Sequence, residues 1–393
     1  MDKKITDLLT KGVEEVVVLD DLKKKLLSGK KLRIKHGVDP TSKDLTIGHA
    51  VSYHKLKEFQ EAGHKIVFLI GDYTARFGDP TDKEKSRVMR DAKEVKKMSE
   101  YYIKQVGKIL DLKKTEIRYN SEWYDKMSAE ELLHIMSHST VARLLERDMF
   151  AKRIKEGKEI QLHEIVYPIL QGYDSVMLKS DATIIGTDQK FNELMGRKMQ
   201  EVYGQKPQDV MSVPLLVGTD GKIKMSQSLG NYIGIAEEAN SQFGKAMSIP
   251  DDVILHYAEL AARMDEGEIK KIKTMIEKNP RDAKALVAKI IVELYHPGEG
   301  GNAEAEFNRI FKDKQNPDDM KVIDGKPYNN ISIVEFLHKA GYMPSKSEAR
   351  RLITQGGFKI DKVKIEDPNE ILYIHDGMVV QFGKRNFVKF KLK

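Results

Sequence analysis

Leu32-Arg33-Ile34-Lys35-His36-Gly37-Val38-Asp39-Pro40-Thr41 leads, across four intervening residues, into Thr46-Ile47-Gly48-His49. Residues 32–38 read as an apolar strand, residues 37–41 as a turn, and residues 47–60 carry the periodicity of a helix. A strand that turns and feeds a helix opens a βαβ unit. His49 then stands at a helix N-terminus, where free N–H groups and the helix dipole favour a phosphate.

Outward from this unit the alternation continues. Residues 65–70 form a buried apolar strand and 91–110 a helix, and 116–119 and 183–186 are further short strands. This rhythm predicts a parallel sheet covered by helices, with ligands at the carboxyl ends of its strands. Residues 121–165 are helical and polar and read as an insertion between the two halves of the sheet. After Gly234 the pattern is helical throughout, at 253–263, 266–278, 280–295 and 303–312. Residues 314–330, with Pro317 and Pro327, read as a linker. In the last segment Ser345 and Glu348 make a capping-box pattern. Gly356-Gly357 ends that helix, and Phe358/Ile360 with Val363/Ile365 alternate as a hairpin around Asp361-Lys362. The expected fold class is α/β: a Rossmann-like parallel-sheet catalytic domain (1–233), an all-helical domain (234–313), the linker (314–330) and a small basic α+β domain (331–393).

Composition limits the function classes. Hydrophobic residues make up 40% of the 393 and charged residues 32%, an ordinary soluble balance with length for two or three domains. With no cysteine, disulfides, thiolate metal sites and cysteine nucleophiles are excluded, and a reducing cytoplasm is the expected location. The N-terminus mixes both charge signs without an apolar core, unlike a signal or transit peptide. Net charge is +7, and residues 331–393 hold 12 Lys/Arg against 7 Asp/Glu. Such a basic tail suits a polyanion such as nucleic acid and equally suits a solvated lysine-rich surface.

Four further stretches carry polar groups suited to chemistry. Lys224-Met225-Ser226-Gln227-Ser228 lies in a glycine-flanked loop, and a lysine on a mobile loop can close over a triphosphate. Gly78-Asp79-Pro80-Thr81-Asp82-Lys83, with Arg87 beyond, could meet an amine and phosphates. Alone it reads better as a plain turn. Tyr167, Gln171 and Asp174 share one face of a helix and suit a pocket wall. The commoner reading is a solvated stripe. Gly186-Thr187-Asp188-Gln189 could hold ribose hydroxyls or an amino acid, or be an ordinary helix cap.

In their order and spacing these stretches resemble the bacterial tyrosyl-tRNA synthetases, class I aminoacyl-tRNA synthetases. The resemblance runs from about residue 32 to the C-terminus, where SKSEARRLITQGGFKID is similar to a small RNA-binding module. It implies a homodimeric ligase that joins L-tyrosine to AMP using ATP with magnesium, then passes tyrosine to tRNA(Tyr). No protein-bound metal is expected. The resemblance places Asp79, Tyr167 and Gln171 at the tyrosine ammonium, Asn120 close by, Asp174 at the phenol and Gln189 at the carboxylate. Asp39, Thr41, Gly48, His49, Asp188, Lys224, Met225 and Ser226 would line the ATP site, with Asp188 on the ribose. His49, Thr46, Lys83, Arg87 and Lys224 would serve the phosphate chemistry. Lys346, Arg350 and Arg351 would meet tRNA, residues 234–313 would bind the anticodon, and residues 121–165 would form the dimer interface.

Three positions depart from the family pattern. Thr46 replaces the first histidine of its His-Ile-Gly-His signature, and could give phosphate one uncharged hydrogen bond. Gln227 replaces the second lysine of Lys-Met-Ser-Lys-Ser, with Lys222 as the candidate substitute cation. Lys35 stands where some members place a tyrosine beside the substrate phenol, which leaves the second phenol partner unassigned and a tryptophan enzyme as the nearest alternative. A non-catalytic RNA-binding relative, or an adenylating enzyme with another acceptor, ranks lower because the pocket residues and the basic module are present. His134, His138 and His163 show no metal-ligand spacing, and Trp123 reads as a packing residue.

Overall fold

The computed structural model describes residues 3–78, 90–312, 320–383 and 386–392. The chain divides into two compact units, residues 1–300 and 301–393.

Unit one is built on a six-stranded sheet. Its strands are β1 (Glu15–Val17), β2 (Arg33–Val38), β3 (Lys65–Ile70), β4 (Glu116–Tyr119), β5 (Ala182–Gly186) and β6 (Asp209–Val213), in the order β1-β6-β5-β2-β3-β4. All neighbours are parallel except β1, which pairs antiparallel with β6. Strand β3 (KIVFLI) is buried along nearly its whole length, because helices cover both faces of a parallel sheet.

The chain moves from β2 to β3 and β4 on one side, and through β5 to β6 on the other. The order therefore reverses between β2 and β5, the position where open α/β sheets bind ligands. Only Ile34–Ala182 and Lys35–Thr183 are paired across that boundary. Beyond them the strands part. The His36 ring reaches across instead, with Nδ1 2.6 Å from the Ile184 carbonyl oxygen. Burial pushes His36 down to about 4, so at neutral pH it is uncharged with its proton on Nδ1.

The helix Ile47–Glu61 leaves the crevice backwards under the sheet and is buried on most sides. Helices Leu162–Leu178 and Lys190–Val202 cross closely. A methyl at Gly172 would lie 2.9 Å from Met195 Cγ, and one at Gly196 would lie 2.6 Å from Ser175 Oγ, so both glycines are needed for the approach. Between β4 and β5, the stretch 121–165 read as an insertion holds the helices Ser121–Tyr124, Ala129–Ser137, Val141–Leu145 and Asp148–Lys155 and the start of Leu162–Leu178.

Strands β1 and β6 escaped the sequence pattern. β1 has three residues, and β6 (DVMSV) breaks its apolar run with Asp209 on one face and Ser212 on the other. The buried Asp209 is tolerated because Lys25 Nζ lies 2.7 Å from its carboxylate. The helices Ala239–Ala246, Ile254–Leu260, Glu266–Lys278 and Pro280–Tyr295 pack in the same compact unit as the sheet. Arg263 Nη2 meets Glu58 Oε1 of the Ile47–Glu61 helix at 2.6 Å.

Unit two contains the helix segment to Phe311 and a sheet of β7 (Lys321–Asp324), β9 (Phe358–Ile360), β10 (Val363–Ile365), β12 (Val379–Phe382) and β13 (Asn386–Lys391), in the order β10-β9-β12-β13-β7. A short pair joins β8 (Ile331–Ser332) to β11 (Ile371–Leu372). Helices Ile333–Lys339 and Lys346–Thr354 enclose a core that includes Phe336, Leu337, Ile353, Phe358 and Phe390. The linker expectation needs correction here. Residues 321–324 are a strand parallel to β13, and only Ile323 packs toward the core, so the sequence signal was faint. The β9–β10 hairpin turns through Asp361 (φ 44°) and Lys362 (φ 73°), both left-handed without glycine.

Candidate active site

A cleft of about 1380 Å³ opens at the β2/β5 boundary. It gathers Asp39, Thr41, Thr46, Gly48 and His49 from the β2 exit, Tyr167, Gln171 and Asp174 from one helix face, Asp188 and Gln189 after β5, and Lys224, Met225 and Ser226 from the lysine loop. Asp79, Lys83 and Arg87 lie outside the described residues. Lys346, Arg350 and Arg351 are exposed on the Lys346–Thr354 helix of unit two.

At the phosphate-favouring end, Thr46 caps the Ile47–Glu61 helix. Its N–H and hydroxyl converge on His49 Nδ1 at 3.1 and 2.9 Å. With Thr46 N–H donating to Nδ1, the His49 proton sits on Nε2. Burial lowers His49 to about 4, so the ring is a neutral donor at pH 7. Thr46 is fully buried, and its hydroxyl is turned to His49. In this arrangement the Thr46 hydroxyl supports the histidine. Lys224 Nζ lies 2.8 Å from Asp188 Oδ2, which joins the residues expected at the pyrophosphate and the ribose. Lys222 is exposed and lies away from the cleft lining, whereas Lys43 and Arg90 line it.

The other end is closed and polar. Tyr167 Oη donates to Asp39 Oδ2 at 3.0 Å, and Thr74 Oγ1 donates to Asp39 Oδ1 at 2.8 Å. Asp174 is 3% exposed, and burial raises it to about 7. The positive charge of Lys35 opposes that rise, as do donors on the carboxylate. These donors are Trp123 Nε1 at 3.1 Å and Asn120 Nδ2 at 3.4 Å. Trp123 therefore does more than pack. Asn120 is completely buried behind the wall, where it also accepts from the Tyr73 N–H at 2.8 Å and donates to Thr74 at 3.0 Å. It holds Asp174 from outside the cleft.

Lys35 is the residue the sequence left without a role. It is 1% exposed, lies 2.9 Å from Glu193 Oε2, and donates to Ser175 Oγ at 2.8 Å. Gln171 Nε2 donates to Glu193 Oε1 at 2.9 Å, and Asn192 Nδ2 bridges Gln171 and Gln189 at 2.8 and 3.0 Å. Glu193 and Asn192 were missed because both sit on a helix with ordinary periodicity. Their one signal is their place just after Asp188-Gln189.

A doubly covered parallel sheet with a cleft at its switch point, a histidine at a helix start and a lysine loop over it has the architecture of a class I nucleotide-activating synthetase. The sequence profile of "tRNA synthetases class I (W and Y)" matches residues 27–312, and that of the S4 domain matches residues 332–376. The "Tyrosine--tRNA ligase" of Dehalococcoides mccartyi is 46% identical over 392 residues, covering 99% of this chain and 98% of that protein. The protein of the same name from Francisella tularensis is also 46% identical, covering 100% and 99%. Two solved structures share the fold. A truncated mitochondrial tyrosyl-tRNA synthetase of Aspergillus nidulans has a TM-score of 0.65 at 22% identity, covering 79% of this chain and 95% of that one. The Archaeoglobus fulgidus tyrosyl-tRNA synthetase complexed with L-tyrosine has a TM-score of 0.61 at 22% identity, covering 77% and 99%. The chain belongs to the tryptophan- and tyrosine-type class I tRNA synthetases, and it carries a C-terminal S4 domain.

Proposed function

We infer that the chain is a tyrosine–tRNA ligase, which activates L-tyrosine with ATP to tyrosyl-AMP and pyrophosphate and then transfers tyrosine to the 3′ end of tRNA(Tyr). Relatives named as tyrosine–tRNA ligases align along its whole length. The observation that carries the choice of tyrosine is Asp174, a buried carboxylate at the closed end of a cleft whose other end bears His49 and Lys224. A site built to hydrogen-bond a hydroxyl rejects the analogue that lacks it, because its buried polar group is then left unpaired.

In this reading the phenol donates to Asp174, and Lys35 supplies the positive charge on that side of the pocket. Tyr167 and Gln171, with Asp79, receive the ammonium group, and Gln189 faces the carboxylate. The carboxylate attacks the α-phosphorus in line, and pyrophosphate leaves. His49 donates from Nε2, and the N-terminal N–H groups of its helix add to that field. Lys224 exchanges Asp188 for the phosphates, which frees Asp188 for the ribose. The terminal adenosine ribose of tRNA then attacks the tyrosyl carbonyl and AMP leaves. Rate comes from positioning and charge stabilisation, without a covalent enzyme intermediate. Magnesium would travel on the nucleotide phosphates. Among the described residues no three His, Asp or Glu side chains converge as a metal site.

The S4 domain, with Lys346, Arg350 and Arg351 exposed on one helix, fits the tRNA, and the helices after Gly234 fit its anticodon arm. The insertion exposes Leu133 (64%), Val141 (62%), Ile154 (53%) and, at its end, Leu162 (80%), an apolar set suited to a homodimer interface. No helix among the described residues is long and apolar enough to cross a membrane, in keeping with a cytoplasmic site of action. ATP–pyrophosphate exchange with each of the twenty amino acids tests the reading. Exchange with tyrosine alone is expected. Exchange with tryptophan would move the assignment within the family, and exchange with none would favour an RNA-binding relative.

A further inference from the structure

The lysine loop is docked at three points. Met225 packs on the start of the Ile47–Glu61 helix, where a methyl at Gly48 would lie 3.4 Å from its Cβ. Lys224 holds Asp188 at 2.8 Å. At the third point the Gln227 side-chain amide donates to the Asp44 carbonyl oxygen.

That acceptor is itself fixed. Gln105, which is 5% exposed, accepts from the Leu45 N–H at 2.7 Å and donates to the Lys43 carbonyl at 3.3 Å, and so braces the peptides on both sides of Asp44. The Leu45 carbonyl accepts from the Ile235 N–H at 2.8 Å. The loop is braced internally too. Asn231 Oδ1 accepts from the Ser226 N–H at 2.9 Å, and its Nδ2 donates to Asp220 Oδ2 at 2.7 Å. A loop with this internal frame moves as a piece, so the side-chain bond at its tip helps to set where the whole loop rests.

We propose that Gln227 is a positioning residue: by donating to the Asp44 carbonyl it holds the loop of residues 224–228 closed over the phosphate end of the cleft before nucleotide arrives. The proposal rests on the ATP-using function inferred above. The amide at position 227 is engaged with the main chain, so it serves the phosphates only through the placement of Lys224. Lys224 can exchange its contact with Asp188 for the nucleotide, while Gln227 keeps its own. Ordering the loop in advance lowers what ATP binding must supply, which offsets the absence of a second cation. Losing the bond lowers the fraction of free protein whose loop is closed, so ATP binding weakens while the chemical step stays nearly intact.

The test uses the full-length protein and Gln227→Met, which keeps the length and removes the donor. Without nucleotide, the backbone amides of Met225 and Ser226 should exchange hydrogen about three- to tenfold faster in the variant, the range of one net hydrogen bond. In tyrosine-dependent pyrophosphate exchange, KM for ATP should rise by a similar factor while kcat stays within about twofold. Gln227→Lys, which retains a donor that can reach Asp44, should return loop exchange and KM toward wild type. Unchanged loop exchange in Gln227→Met overturns the proposal, as does a fall in kcat at constant KM, which would place Gln227 on the phosphates in the transition state. If the wild-type protein shows no tyrosine-dependent exchange, the ligase reading fails, and hydrogen exchange still decides whether the clasp exists.

Discussion

The indole nitrogen of Trp123 donates to the carboxylate of Asp174 at 3.1 Å. Trp123 is the chain's single tryptophan, and Asp174 is the buried acid at the closed end of the cleft. One side chain thus packs the wall and gives a hydrogen bond to the ionised form of the group assigned to the phenol, against the burial that raises it.

The burial of Asp174 makes tyrosine binding pH-dependent. Burial raises Asp174 above the ordinary carboxylate range, to about 7. The ionised form accepts from the phenol, so affinity is full above that pH and falls as pH drops through it. Calorimetric titration with tyrosine should show binding about tenfold weaker at pH 6 than at pH 8. His36 and His49, both lowered to about 4, stay neutral throughout this window. Trp123→Phe removes a donor to the ionised form and should move the fall to higher pH. Constant affinity from pH 6 to 8 would show that Asp174 does not govern binding.

Lys35 and Glu193 form a pair at 2.9 Å, each no more than 2% exposed. Lys35→Met strands a buried carboxylate, so urea unfolding should show a loss of about 3–5 kcal/mol. The double variant Lys35→Met/Glu193→Gln should recover much of that loss. Equal instability in the single and double variants would mean the pair is uncoupled.

Gly71 lies at the carboxyl end of β3, against the cradle of Asp39. An added methyl would overlap both the Asp39 carboxylate and the Thr74 hydroxyl. Gly71→Ala should displace the Asp39–Tyr167 contact and lower kcat/KM for tyrosine by about 10²-fold, as misplacements of this kind do. Near wild-type exchange kinetics would rule out a role for that contact in placing substrate.

The S4 helix carries the tRNA prediction. Arg350 Nη1 donates to Asn369 Oδ1 at 3.0 Å, which orients it beside exposed Lys346 and Arg351. Replacing all three with alanine should weaken tRNA binding and lower the slope of log affinity against log salt by about 3, near one per lost phosphate contact. An unchanged slope would move the RNA contact to another face.

Much of the site was legible because its parts are local. Strand β3 and the helix Ile47–Glu61 follow from runs of apolar residues and a cap, and Tyr167, Gln171 and Asp174 follow from helical spacing. Strand β7 was not legible because its four residues bury little and gain their order from pairing with β13. The contacts of Thr46 with His49 and of Gln227 with the Asp44 carbonyl were not legible, since residue type reveals a missing charge but not the direction a side chain takes.

The sequence by itself determined the alternation of strand and helix, the basic C-terminal module and the resemblance to class I tyrosyl synthetases, because periodicity, capping and short motifs act over a few neighbouring residues. Only the tertiary structure decided the partners of Lys35, Asn120 and Trp123, and which main-chain carbonyl Gln227 would hold. Lys35 and Glu193 are 158 positions apart, and Trp123 and Asp174 are 51 apart. Such pairs form where crossing helices and parting strands exclude water, and a buried charge or polar group must then find a partner across the fold.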